Sequence, residues 1–284
     1  TLNPLPIFVS SLKDDACAEL VQTHLKDAAT DIILNLTGFA VASPGADPGI
    51  TPFTGAGCPV LQVILSGSTE NVWRTGTHGL EPRDLAMNVA LPEVDGRLIT
   101  RAISFKKADN FDAECEVNII RHDPIPDRVA FVAETAAAWV TLRREKASHR
   151  KVAIIVANYP NKDGRLCNGV GLDTPAGVAK FLETLRNNGY TVPDSFPVSC
   201  EKVMALLKSG PTNSGKKKRG GETLSLLAYH TFFDSLPDSI QKEIIDRWGA
   251  PEDDPFFSRG HIHLPVQRLG NIALGIQPAR GYNI

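Results

Sequence analysis

The chain has 284 residues, 42% hydrophobic and 22% charged, with a formal net charge of -2. That is ordinary globular composition, long enough for one large or two medium domains. It offers no electrostatic footprint for nucleic acid or an anionic membrane, and no apolar run reads as a membrane span or a signal peptide.

In chain order, Pro6 to Ser10 is expected as a short strand. Asp14 to Lys26 is expected as an amphipathic helix with Leu20, Val21 and Leu25 on one stripe. Strands follow at Asp31 to Leu36 and Val60 to Leu65, each running into Gly, Ser or Asn, the pattern of buried parallel strands with polar loops at their carboxyl ends. A turn leads to a short helix opened by Pro82, and a further apolar run ends in Pro92-Glu93-Val94-Asp95-Gly96. Leu98 to Phe105 alternates, placing Ile99, Arg101, Ile103 and Phe105 on one face, and a long helix is expected over 127–146.

A basic junction, Arg143 to Lys151, separates a first module, 1–148, from a second, 149–284. The second opens with the strand 151–157. A helix over 174–188 has Asp173 or Thr174 at its cap, Pro175 in its first turn and Gly189 past its end. Ser199 can cap a helix through Leu207. Helices over about 222–235 and 238–248 and a strand at 271–276 complete the chain. Alternating strands and helices predict an α/β fold: two doubly wound, mainly parallel modules of Rossmann or flavodoxin type.

Five cysteines, at 17, 58, 115, 167 and 200, are odd in number and widely spaced, without a C-x-x-C pair. This points to reduced, mostly buried thiols in a cytoplasmic protein, not to disulfides or a zinc centre. Gly210-Pro211-Thr212-Asn213-Ser214-Gly215-Lys216 matches the start of a P-loop, but Lys217 stands where Ser or Thr should bind Mg²⁺ and a helix precedes it. Residues 210–221 therefore read as a solvated, mobile basic loop and not as an ATP site. Gly169-Val170-Gly171 lacks the third glycine of a dinucleotide fingerprint. Those glycines either ease entry into the capped helix or bring backbone N–H groups to an anionic ligand near Asp173 and Thr174.

His261 and His263 would share one face of a strand, two legs of a metal site without an evident third. His78, on a glycine loop, is a candidate to move protons or to cap the helix at Pro82. Glu93 and Asp95 either shape a polar turn or act: a carboxylate can accept protons and hold a cation. Partial burial after the apolar run would bring such a group toward the useful range.

Four runs, ILNLTGFA (33–40), GCPVLQ…ITRAISFK (57–106), ANYPNKDGRLCNGVGLDTPAG (157–177) and GNIALGIQPARGYN (270–283), together resemble the large subunits of the CobN-type cobaltochelatase and magnesium-chelatase family. Trp73 and the NYPNKDGR run are more similar to the cobalt branch. The resemblance spans most of the chain. It implies a tetrapyrrole-binding subunit that receives Co²⁺ for insertion into hydrogenobyrinic acid a,c-diamide, with ATP hydrolysed by AAA+ motor partners. It favours Glu93 as the catalytic group and leaves Asp95 structural. It places Asn158, Tyr159, Gly169, Gly171, Asp173, Thr174 and His78 by the substrate. The alternatives are a magnesium-chelatase large subunit acting on protoporphyrin IX, or a two-lobed binding module without chemistry. The non-Met start and the lack of the family's histidine-rich segment read as an internal piece.

Overall fold

The computed structural model describes residues 2–42, 51–159, 161–214 and 218–279. The chain forms two compact units, divided between Arg144 and Glu145; the sequence reading placed the division between 148 and 149.

In the first unit, α1 (Asp15–Asp27) starts where the Asp14 side chain accepts the Cys17 N–H, one of the donors that a helix start leaves unpaired. Val21 is buried on this helix while Leu20 stays exposed, so the apolar stripe is narrower than expected. A four-stranded mixed sheet follows. Its strands are β1 (Ile33–Asn35) and β2 (Val60–Thr69), then, after the helical crossover, β3 (Leu98–Asp112) and β4 (Val117–Pro124). The first three are parallel and β4 pairs antiparallel to β3, in the order β1-β2-β3-β4.

Between β2 and β3 lie α2 (Glu70–Thr75) and α3 (Pro82–Leu85). A π-turn (Ala86–Ala90) and α4 (Leu91–Val94) carry α3 on without a break. Helix α5 (Pro126–Arg144) buries Val132 and Ala136. Ile64, Ala102, Phe105 and Ile125 form a core, with Trp73, Leu80, Val89 and Ile99 against it.

The second unit begins with β5 (Val152–Val156), the two-stranded hairpin β6 (Asn168–Gly169) and β7 (Leu172–Asp173), α6 (Thr174–Asn187) and α7 (Cys200–Lys208). Then come β8 (Thr223–Ser225), α8 (Leu226–Phe233) and α9 (Asp238–Trp248). It ends with β9 (Phe257–Ser258), β10 (His261–His263), β11 (Val266–Leu269) and β12 (Ile272–Ile276). Strands β12 and β5 are parallel with β11 antiparallel at the edge, while β8-β10-β9 is wholly antiparallel. Leu182, Val203, Ile272 and Leu274 sit at the centre of the core between α6, α7 and the β5-containing sheet.

The class is mixed α/β, as expected, but several details differ. The first sheet follows chain order with no reversal, and the second unit divides its strands among small, partly antiparallel sheets. Neither is doubly wound among the described residues. Residues 6–10 form no strand: Phe8 is 92% exposed and no strand among the described residues pairs with the segment. The expected helix at 222–235 begins as β8 and turns helical only at Leu226, where Ser225 caps it. The strict alternation of β3 is broken by register shifts against β2, which bury Ala102 and turn Arg101 outward. All five cysteines are free, but only Cys167 is buried and Cys115 is exposed. No described helix is long and apolar enough to cross a membrane.

Candidate functional site

The Pro92–Gly96 motif closes a helix, not a strand. The continuous helix from Pro82 to Val94 begins beside the carboxyl end of β2, because the buried Asp84 accepts the Gly67 N–H at 2.9 Å and the Ser66 hydroxyl at 2.6 Å. It ends beside the start of β2, where Leu98 pairs with Leu61. At about 1.5 Å per residue, Asp84 and Glu93 lie on the order of 13 Å apart along the axis.

Asp95 is enclosed. Its side chain is 0% exposed and pairs with Arg97, 1% exposed, at 2.8 Å. The same carboxylate accepts the backbone N–H groups of Val41 at 2.7 Å and Ala42 at 3.1 Å. Arg97 also donates to Gln62 Oε1 at 3.0 Å, and Asn35 Nδ2 donates to that oxygen at 2.7 Å. Both Asn35 and Gln62 further donate to the Thr37 carbonyl. Burial pushes the Arg97 guanidinium below its ordinary value while the Asp95 charge opposes the shift. Its Nε, buried, finds no partner among the described residues. A buried ion pair is kept together by such satisfied hydrogen bonds and is costly to leave half-made.

This network ties the loop after β1 to the helix. The Phe39 N–H donates to the Met87 carbonyl at 2.7 Å, within the π-turn, whose wider winding frees backbone carbonyls for outside partners. A Cβ on Gly38 would stand 2.9 Å from Asn88 Oδ1 and 3.3 Å from the Met87 carbonyl, so a side chain there would have to displace the Asn88 amide.

Glu93 lies in the last turn of the helix, two residues before Asp95. It is exposed, so the condition of partial burial attached to its expected role is not met. Its side chain makes no hydrogen bond or ion pair among the described residues. Asp95 is thus the anchored carboxylate and Glu93 the available one. His78 is exposed and does not cap the following helix, whose N-cap position is Glu81.

In the second unit, the glycine motif is a tight hairpin. Gly169 pairs with Leu172, and Val170 and Gly171 form the turn; of these two only Gly171 has a positive φ, +74°, the requirement of a type II turn. Val170 projects fully into solvent. Asp173 caps α6 by accepting the Ala176 N–H at 3.2 Å, with Thr174 as its first residue. Asn158 is buried and bridges to Leu166, whereas Tyr159 is 67% exposed.

The expectation of a solvated loop from 210 onward is corrected for 210–214, while Gly215, Lys216 and Lys217 lie outside the described residues. Gly210, Pro211 and Thr212 are buried, and Thr212 donates to Asp163 at 2.6 Å. Asn213 donates to the Gln277 carbonyl at 2.7 Å. Burial pushes the Asp163 carboxyl up, but hydrogen bonds from Thr212 and Ser214 and the charges of Lys218 and Lys208 outweigh it and hold it below the usual range. A Cβ on Gly210 would meet Gln267 Nε2 at 2.6 Å. The glycine that suggested a phosphate loop serves packing here.

His261 and His263 share β10, but their rings are engaged separately. His261 Nδ1 lies 3.1 Å from the Arg259 carbonyl and His263 Nε2 lies 2.9 Å from Ser258 Oγ. Among the described residues no group of three His, Cys, Asp or Glu side chains is placed to hold a metal, so the two histidines lack the third ligand a protein metal site needs.

Sequence reasoning missed Asp84, Arg97, Gln62 and Asn35. A polar residue inside an apolar strand, as in Val60-Leu61-Gln62-Val63, was the available signal.

The CobN/Magnesium Chelatase family matches residues 1–284, and the chain belongs to that family. It is 52% identical over 281 residues to an aerobic cobaltochelatase subunit CobN of Sinorhizobium sp., covering 99% of this chain and 22% of that protein. It is 41% identical to the CobN subunit of Pseudomonas aeruginosa, over 100% of this chain and 23% of that protein. The catalytic subunit of cobaltochelatase from Mycobacterium tuberculosis has a similar structure, with a TM-score of 0.75 and 28% identity, over 96% of this chain and 23% of that one. The chain thus spans about a fifth of the length of the curated relatives it matches.

Proposed function

We propose that the chain is a segment of the large, tetrapyrrole-binding subunit of a cytoplasmic chelatase that inserts Co²⁺ into hydrogenobyrinic acid a,c-diamide. In this reading AAA+ motor subunits hydrolyse the ATP and this chain does not. The identity to cobalt-branch relatives favours a corrin precursor over protoporphyrin IX. The observation that carries the chemistry is the division of labour at the Pro92–Gly96 motif. Asp95 spends its lone pairs on Arg97, Val41 and Ala42, while Glu93 keeps its carboxylate open on a braced helix end.

Metal insertion requires ring N–H protons to leave as the cation sheds water. An open carboxylate can take those protons and steady the cation. Bracing from beneath limits the motion of the group that must meet the ring. Val170, Leu172 and Tyr159 are exposed apolar or aromatic groups around the glycine hairpin, and the reading gives them, with Gly169, Gly171, Asp173 and Thr174, contact with the ring's periphery.

The test is Glu93→Gln in the full-length subunit with its motor partners. The variant should bind the tetrapyrrole as the parent does, read by absorbance, and lose about a hundred- to ten-thousand-fold in insertion rate, the usual contribution of a proton-transfer group. Insertion at the parental rate would make Glu93 a surface turn residue and favour a module that binds without chemistry.

A further inference from the structure

The hairpin of β3 and β4 runs out beyond the sheet that carries it. The last pair between β2 and β3 joins Thr69 to Lys106, while β3 continues to Asp112 and returns as β4. From 106 to 122 every residue but the half-buried Asp112 is exposed. The tip is nevertheless well made: the Asp112 side chain accepts the Glu114 and Cys115 N–H groups at 3.0 and 2.9 Å. Lys107 pairs with Asp123 at 3.1 Å and Arg121 with Asp109 at 3.3 Å, so much of the arm's charge is met within the arm.

Its apolar groups are not met. Residues opposite one another in an antiparallel pair share a face, and successive residues alternate between faces. Asp112 lies opposite Val117 and Asn110 opposite Ile119, which sets Val117 and Ile119 on one face. Ala108 lies opposite Ile120 and Phe111 opposite Asn118, which sets Phe111 and Ile120 on the other. Neither face is wholly apolar, yet each holds two large apolar side chains, 49–63% exposed. A two-stranded ribbon with nothing to bury against is marginal in water. Strand β4 is also the edge of its sheet, with no strand among the described residues on its far side. A β-branched edge left bare invites pairing with other chains.

We infer that a strand from the remainder of the large-subunit polypeptide pairs with the free edge of β4 and packs apolar side chains over both faces of the arm. The chain spans 22% and 23% of the two CobN relatives, so most of such a subunit lies outside these residues. Cover from the same polypeptide carries no cost in translational and rotational freedom, and it is in place whenever the subunit is folded. A strand laid on an edge satisfies the backbone groups there and brings side chains to both faces at once. The inference rests on the reading of this chain as a segment of a longer subunit, and not on the chemistry at Glu93.

The experiment is residue-resolved amide hydrogen exchange on the full-length subunit alone, at low concentration and without tetrapyrrole, metal or motor partners. In an antiparallel ladder alternate β4 amides point at β3 and the others point away. A free edge therefore shows protection only at every second position from 117 to 123. With the added strand, protection should run through consecutive positions, the outward amides exchanging on the order of a hundredfold more slowly than an open edge allows. Ile119→Thr combined with Ile120→Thr keeps the strand preference of both positions and makes one side chain on each face polar. The outward amides should then exchange about tenfold faster or more, as buried apolar area is lost. An alternating pattern in the parent, or outward amides that the double variant leaves unchanged, overturns the inference. So does protection that appears only on adding the motor subunits, or only as the subunit is concentrated, which would give the edge to a partner or to a second copy. No ring or metal takes part, so failure here leaves the chelatase reading standing. Insertion by Glu93→Gln at the parental rate would likewise leave the added strand standing.

Discussion

In the first unit the charged motif at residues 92–96 splits into an open Glu93 and an enclosed Asp95, and the enclosed half is wired to three other segments of chain. In the second unit the most conspicuous motif, Gly169-Val170-Gly171, has its turn, Val170-Gly171, at the surface. The buried polar contacts there gather around Asp163 and Thr212 instead. Both units rely on a buried polar knot, and in the first an exposed carboxylate, Glu93, stands two residues before the buried one. A motif that reads as glycine-rich can be a surface turn with modest energetic weight, and one that reads as a basic loop can hold a unit together. Density of resemblance and density of physical coupling are different quantities.

Breaking the first knot should have the largest effect. Asp95→Asn leaves Arg97 buried without its counter-charge, and removing one partner of a buried pair typically costs about 3–5 kcal/mol. The urea midpoint of the chain should fall accordingly. Amide exchange at Val41 and Ala42 should accelerate, since those N–H groups donate to Asp95. Glu93→Gln should leave both measurements at the parental values. An Asp95→Asn variant with unchanged exchange at 41 and 42 would show that the network does not brace this helix end.

The knot in the second unit is smaller, and pH separates its parts. Thr212→Val keeps shape but removes the hydrogen bond to Asp163, a loss of about 1–3 kcal/mol for a buried contact to a charged acceptor. Asp163 is held below the usual carboxylate range. A group lowered in this way adds stability above its unfolded pKa of about 3.9, and that stability fades as pH falls through the folded value. The gap between parent and variant in urea midpoint should therefore be full at pH 7 and narrow below about pH 4. A gap that stays constant with pH would mean that the Thr212 contact acts through packing and not through the Asp163 charge.

What the sequence made legible was local. Helices α6 and α7 are placed within a residue or two by their caps, Asp173 and Ser199, because a cap and the amides it serves lie within three positions, and α1 by its apolar stripe, with Asp14 read as its first residue where it is the cap. Strands Ile33–Asn35, Val60–Thr69 and Val152–Val156 show as short apolar runs. Strand β4 was missed because its residues alternate between solvent on both sides and leave no apolar face to read. The His261–His263 strand was seen only as a spacing, since its pairing partners are just two or three residues long. The Asp95 knot was invisible for a different reason: its partners lie 35 to 54 positions apart in pairs such as Arg97–Gln62 and Asp95–Val41. At 210–214 the neighbouring run of lysines outweighed the small, packable residues before it, and so a buried turn was read as solvated.

The smallest effect should come from the glycine hairpin, which makes it the sharpest test of the comparison. Gly171 takes φ +74° with nothing within 4 Å of where a Cβ would stand, so Gly171→Ala meets no neighbour and costs only backbone strain. For a left-handed residue that is roughly 1–2 kcal/mol, part of which an exposed two-stranded hairpin can relax by opening. Stability of the chain should therefore drop by about 1 kcal/mol or less, with α6 intact because Asp173 still caps it. If the hairpin touches the ring through its backbone, tetrapyrrole binding by the full-length subunit should weaken by more than that stability loss predicts. Val170→Ser, which keeps the turn and removes only a protruding apolar side chain, should weaken binding with no stability change at all. Parental binding in both variants would leave the hairpin a device for starting α6, and the contrast between the two units would then be complete: chemistry on the first, a helix start on the second.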